Sequence, residues 1–292
     1  MDETPATRKH QTYNIVLLGL LAAGLVIAHF ISSSRYTGPL RAGRDIVAEI
    51  KRKGISSFLD SMGRKSFFLI KNARGQTTGF TMDVFIEAAP DARLNIQSTG
   101  LLYIRGRYGR EQLMSFQSDE SFTEFAWKSE YAAPRQKGGT ELVLEKSGVL
   151  TVIESGKSPE KVSYKPGFSS IPEYLLDLVL TQMLDSARRK IIVETINADG
   201  RTVEAIVSRT DDSGPPEDKQ QYEFLVNFLD GRRASQRVYL DSRKRISKIL
   251  LKEDGIYLFE RTTMENVLLE VPEAARYIPQ EHKILGPNQP QY

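Results

Sequence analysis

The sequence predicts a mainly β protein with one N-terminal transmembrane helix, in which a large curved antiparallel sheet carries one or two helices packed across it. Three observations lead there. Residues Gln11–Ser34 contain no Asp, Glu, Lys or Arg. From Phe67 onward, apolar residues recur at a period of two, in short runs separated by Gly-, Asp- and Pro-containing turns. One longer run, from Ser170 to about Arg188, follows the helical period instead.

The centre of the first segment, Ile15–Ile31, consists of Leu, Ile, Val, Ala, Gly and Phe, interrupted only by His29. At a rise of about 1.5 Å per residue it can cross a hydrocarbon core of ~30 Å. The apolar run is long for a cleaved signal peptide, and it is apolar on nearly every side, which suits lipid better than a packed core. The predicted span is 13–34, preceded by a short tail at 1–12. Arg35, Arg41, Arg44, Lys51, Arg52 and Lys53 follow it, and by count they favour a cytoplasmic C-terminal side. Long domains translocate largely regardless of charge, however, and a short basic tail such as Arg8-Lys9 stays inside. The expected topology is therefore N-terminus in and domain out. Gly19/Ala23 and Gly24/Ala28 have helix-contact spacing, but read as ordinary lipid-facing small residues.

Composition removes several classes of function. The 40 basic and 37 acidic residues leave a net charge of only +3, so there is no nucleic-acid footprint. With no cysteine there is no disulfide, thiolate nucleophile or lipoprotein acylation site. Three histidines, two of them near the chain ends, leave little for a metal site or a catalytic triad, and no cofactor is predicted. P-loop, dinucleotide-fold, zincin and serine-hydrolase motifs are all missing, so the chain does not read as an enzyme.

Gly38-Pro39 is predicted to break the first helix. Leu40–Met62 reads as a second one, with Ile46, Val47, Ile50, Phe58 and Leu59 as a partial apolar stripe and Gly54 weakening its middle. Residues 35–66 thus form a juxtamembrane helical spacer whose stripe packs on the β-rich domain at 67–279. Phe80, Met82, Val84 and Ile86 alternate with Thr81, Asp83 and Glu87 as a half-buried strand, and Leu94–Ile104 continues the pattern. Further strands are predicted at Glu111–Gln117, Phe122–Lys128, Thr140–Lys146, Val149–Glu154 and Lys161–Tyr164.

Ser170-Ile171-Pro172-Glu173 has the form of a capping box that opens a helix. That helix is apolar around most of its circumference, and Glu173, Asp177, Thr181 and Asp185 form one narrow solvated stripe. Such a helix must lie under a sheet or face an apolar cavity. Tyr174, Leu175, Leu178, Val179 and Met183 are accordingly the candidate ligand-binding residues, with no catalytic or metal-ligating residues assigned. Strands resume at Lys190–Ile196 and Arg201–Arg209. A meander follows, over Tyr222–Phe228, Ser235–Asp241, Arg245–Lys252 and Ile256–Thr263. Asp199-Gly200, Asp230-Gly231 and Asp254-Gly255 are hairpin turns. Asn266–Val271 reads as a last strand before a proline-marked flexible tail at 280–292. The basic runs Arg188-Arg189-Lys190, Arg232-Arg233 and Arg243-Lys244-Arg245 read as solvated turns, with headgroup contact on a membrane-facing rim as the alternative.

In layout, Phe67–Pro272 resembles the bacterial envelope half-β-barrels that include lipoprotein carriers and receptors of the LolA/LolB kind. Gly75-Gln76-Thr77-Thr78-Gly79-Phe80 is similar to the Gly-x-x-x-Gly-aromatic start of uncharacterised periplasmic β domains. Tyr239-Leu240-Asp241, Asp254-Gly255 and Asn266-Val267-Leu268-Leu269-Glu270-Val271-Pro272 are similar to their closing strands. Taken with the span, the resemblance implies a single-pass protein of the bacterial inner membrane, whose periplasmic domain binds a lipid, an acyl chain or a lipidated protein. It departs from those families in keeping an ordinary span, and a tethered domain cannot diffuse between membranes. The alternative is a scaffold subunit with envelope protein partners and no ligand. A continuous apolar cavity of at least ~300 Å³ under the Tyr174–Leu184 helix distinguishes the two.

Overall fold

The computed structural model describes residues 36–59, 63–87, 96–105, 110–133, 136–163, 170–186, 188–210, 221–231, 233–252 and 256–277. The predicted span at 13–34, the tails at 1–12 and 280–292 and the Asp254-Gly255 turn lie outside them. Among the described residues no helix is long and apolar enough to cross a membrane.

One 15-stranded sheet organises the chain. Its first arm is a meander: β1 (Lys65–Lys71), β2 (Thr77–Glu87), β3 (Ile96–Ile104), β4 (Arg110–Ser118), β5 (Phe125–Ala133), β6 (Gln136–Leu144), β7 (Val149–Glu154) and β8 (Glu160–Ser163). The second runs through β9 (Ile171–Pro172), β10 (Lys190–Ile196), β11 (Thr202–Arg209), β12 (Tyr222–Phe228), β13 (Gln236–Leu240), β14 (Ile246–Lys252) and β15 (Ile256–Thr262). The arms join where β15 pairs antiparallel with β1, so that β8 and β9 are the two edges of an open sheet. Among the described strands only the β9–β10 pairing is parallel. The sheet curls on itself, because a Cβ placed on Gly200, between β10 and β11, would lie 2.4 Å from Val152 on β7.

Two helices fill the concavity. The first, α1, covers residues 36–53; Gly38 and Pro39 lie inside it, not at a break. Its apolar stripe of Ala42, Ile46, Val47 and Ile50 is buried, and Tyr36 and Arg44 on its flank reach Glu204 and Glu194. Gly43 lets it approach β10, since a Cβ there would sit 1.9 Å from the Ile192 carbonyl oxygen. The helix ends at Gly54 (φ 81°), followed by a 3₁₀ turn over Ile55–Phe58. Gly54 therefore terminates α1 instead of weakening the middle of a longer helix, because its positive φ cannot propagate an α-helix.

The second helix, α2, covers Leu176–Asp185 behind a 3₁₀ turn at Glu173–Leu175. No capping box opens it. Ile171-Pro172 is strand, and the Glu173 carboxylate is taken by Arg233, an ion pair that competes successfully with capping. Residues from α1, α2 and strands of both arms form one core, with Phe116, Phe224, Leu142 and Leu150 among its fully buried members.

A second, smaller core lies on the convex face. Phe80, Met82 and Val84 of β2 point there, with Leu69 and Leu101 beside them. They are covered by α3 (Met264–Glu270) and a 3₁₀ turn at Pro272–Arg276. The expected closing strand at Asn266–Val271 is thus a helix. The Thr263 side chain accepts a hydrogen bond from the Asn266 amide as an N-cap, and Val267 and Val271, one helical turn apart, reach the sheet while Leu269 remains 77% exposed. Burying each valine contributes roughly 1.5–3 kcal/mol.

Candidate functional site

With Phe80, Met82 and Val84 turned to the convex core, β2 presents Thr81, Asp83 and Phe85 to the concavity. Asp83 lies opposite Ser66 on β1 and Gly100 on β3. A Cβ at Gly100 would come 2.5 Å from the Asp83 carboxylate and 3.6 Å from the Tyr174 hydroxyl, so glycine there makes room for both. The Tyr174 hydroxyl donates to Asp83 Oδ1 at 3.1 Å and accepts from Ser98 Oγ at 2.9 Å. Its ring sits among Phe116, Trp127 and Phe85, with centroids 5.3, 6.1 and 6.3 Å away. Three residues on, Asp177 projects to the same side, its Oδ1 accepting from the Leu178 amide at 3.0 Å.

These groups stand at the polar end of a cleft between α2 and the sheet. A smaller compartment of about 70 Å³ is bounded by Ser66, Asp83, Asp177, Thr181, Lys244 and Arg261. It adjoins a larger one of about 330 Å³, and the two share Phe68, Asp83, Tyr174, Asp177 and Ile246. The walls of the larger compartment are mostly apolar, with Leu176 and Leu180 from α2 facing Val238, Ile249 and Phe259 of the second arm. Two of its wall residues, Phe228 and Glu173, are held by Arg233. The Arg233 guanidinium lies 3.8 Å over the Phe228 ring, pairs with Glu173 and donates to Asp230 Oδ2 at 2.8 Å. Arg233 is thus the centre of a half-buried ionic knot and not a solvated turn residue.

Burial raises the Asp83 carboxyl from 3.8 to about 6, an effect that the hydrogen bond from Tyr174 reduces. Burial also raises Asp177, with the Asp83 charge adding to it, from 3.8 to about 7. The same two causes push the Tyr174 phenol well above its usual value of 10. No cation among the described residues pairs with either carboxyl. Lys244 pairs with Asp185, and Arg261 donates to Ser66 Oγ and to the Ile246 carbonyl, both at 3.1 Å.

Of the residues predicted to bind ligand, Tyr174 lines the cleft. Leu175, Leu178, Val179 and Met183 are fully buried on the opposite face of α2, in the main core. The cleft face carries Leu176, Asp177, Leu180 and Thr181 instead, so the predicted solvated stripe opens into the concavity at Glu173, Asp177 and Thr181. Asp83 was missed because it sits on the side of β2 that alternation alone assigns to solvent, whereas Ser98 shares its face of β3 with Ile96 and Leu102, and Arg261 its face of β15 with Phe259, so that neither stood out from the apolar pattern around it. The one local hint was Gly100, in a strand where it neither turns nor bulges.

No family model matches the chain, and no curated protein matches it. Among solved structures it is similar in fold to a β-barrel-like protein of domain of unknown function DUF1849 from Brucella abortus. That match has a TM-score of 0.50 at 10% identity and covers 68% of this chain and 95% of that one. A DUF1089 family protein from Pseudomonas aeruginosa aligns at a TM-score of 0.32 and 13% identity, over 57% of this chain and 87% of that one, which is too slight a similarity to carry an argument. The chain is therefore a β-barrel-like domain built on one large open sheet, with helices packed across it.

Proposed function

We propose that this chain is a non-catalytic binding protein, whose half-barrel holds an apolar ligand, a lipid or acyl chain or the acyl group of a lipidated protein, in the cleft beside α2. The supporting observation is the larger compartment, whose volume of about 330 Å³ is in the range of small-molecule sites and whose walls are mainly aliphatic and aromatic. In this reading the segment at 13–34 anchors the chain in the bacterial inner membrane with the domain in the periplasm, in the manner of a tethered relative of the LolA/LolB half-barrels. Native mass spectrometry of the full chain extracted in non-ionic detergent tests it. A co-purifying lipid is the expected result, and a protein free of any adduct under conditions that retain lipid on a control would refute it.

One observation favours a second reading. Most of the concavity is filled by the chain's own α1 and α2, as in a scaffold subunit that needs no ligand. An adduct-free protein that co-purifies with stoichiometric envelope proteins would favour that alternative.

A further inference from the structure

Resting on the reading of the cleft as a chain-binding site, we propose that its polar end, between Asp83 and Asp177, receives the cationic amine head of an amphiphile whose tail lies in the larger compartment. The two ends of the cleft differ in chemistry. The larger compartment is walled by residues such as Leu176, Leu180, Val238 and Phe259, which suit a hydrocarbon tail. The smaller compartment brings together two carboxyl groups, neither ion-paired among the described residues, although Lys244 and Arg261 line the same compartment. The nearby cations are engaged elsewhere: Lys244 with Asp185, and Arg261 with Ser66 and the Ile246 carbonyl.

Two half-buried carboxyls without a cation partner are costly to ionise, and a ligand cation placed between them reduces that cost. Phe85 lines the same compartment together with Tyr174, and aromatic rings add cation–π attraction for an ammonium group, whereas the Phe68 ring already carries the Arg261 guanidinium 5.9 Å from its centroid. An anionic head would meet the two carboxyls while Lys244 and Arg261 on the same walls are already engaged, and a neutral head would leave the carboxyls as they are. Ionisation of both groups is opposed by burial, and for Asp177 by Asp83 as well, so a bound ammonium would draw both toward the charged form.

The test offers the full-length protein an equimolar mixture of dodecylamine, dodecanol and dodecanoate, and reads the adducts by native mass spectrometry. Entry into the cleft is followed by the fluorescence of Trp127, the only tryptophan, whose ring lies 6.1 Å from that of Tyr174. The amine adduct is expected to dominate by roughly tenfold, the ordinary value of one charge-assisted hydrogen bond, and to change the Trp127 emission. In the Asp83→Asn/Asp177→Asn double variant the amine preference should collapse while the dodecanol adduct persists. Equal binding of the three heads, a preference that survives in the double variant, or an amine adduct that leaves Trp127 unchanged would each overturn the assignment. If none of the three chains binds, the reading of the cleft as a chain site fails with it.

Discussion

Replacing the two cleft carboxyls by amides should stabilise the empty protein while removing the groups proposed to recognise its ligand. Both folded-state pKa values lie above the ordinary 3.8, at about 6 for Asp83 and about 7 for Asp177. The folded state therefore holds more protons than the unfolded chain between these values. The stability contributed is complete below about pH 4 and is lost as pH rises through the folded values. At about 1.4 kcal/mol per tenfold change in proton binding, ionisation costs the folded protein about 4 kcal/mol at Asp177 and about 3 at Asp83. The two groups titrate as a coupled pair, so these figures do not add. A buried amide has its own desolvation penalty of about 1–2 kcal/mol. The net gain expected for Asp83→Asn/Asp177→Asn at pH 8 is about 2 kcal/mol. For a domain of this size that is a rise of about 4–8 °C in Tm. The amide oxygen that the substitution places at position 83 can still accept the hydrogen bond from Tyr174. Thermal unfolding of the full chain from pH 4 to pH 8, followed by circular dichroism, checks the reasoning. Wild type should equal or slightly exceed the variant at pH 4, fall progressively below it as pH rises from about 4 to 7, and level off above pH 7. A variant less stable than wild type at pH 8, or two parallel curves across the range, would refute the burial argument.

Two further substitutions probe how the cleft is built. Gly43→Ala places a Cβ 1.9 Å from the Ile192 carbonyl, so α1 must shift off β10, at a cost of about 2–3 kcal/mol in urea unfolding. The control, Gly38→Ala in the same helix, meets nothing within 4 Å and should be stabilising by up to about 1 kcal/mol; equal effects would mean that α1 does not dock through Gly43. Arg233→Met strands Glu173 in a half-buried setting, removes one partner of Asp230, and should cost about 2–3 kcal/mol. In a double-mutant cycle with Glu173→Gln a coupling of at least about 1 kcal/mol is expected, and additive effects would show that the pair is not energetically linked.

Much of the architecture was legible in local pattern. Period-two alternation marked most of the strands, because a half-buried strand must alternate wherever one face meets a core. Asp199-Gly200 and Asp230-Gly231 marked turns, since few other residues tolerate the backbone geometry of tight hairpins. The dense apolar run at Tyr174–Leu184 marked a helix that had to be covered. Tyr174 itself emerged as a cleft residue, and the helical stripe of Ile46, Val47 and Ile50 pointed correctly to packing on the domain.

What local pattern does not carry is the identity of the partner each face meets. Alternation in β2 separates Phe80, Met82 and Val84 from Thr81, Asp83 and Phe85, yet it is symmetric with respect to inside and outside. Only the return of α3 across the convex face, from the far end of the chain, makes the apolar side the outer one and sends Asp83 into the concavity. In the same way Ser170-x-x-Glu173 was a sound capping signal until Arg233 arrived from the second arm, and Val267 with Val271 fitted a strand until the Thr263 cap and the sheet beneath selected a helix. Local pattern was enough for a long antiparallel sheet with helices against it, because periodicity and turn chemistry are properties of neighbours. The tertiary structure decided which two carboxyls face each other across the cleft, because that depends on long-range pairing of β15 with β1 and on the helix face left over once the core is filled.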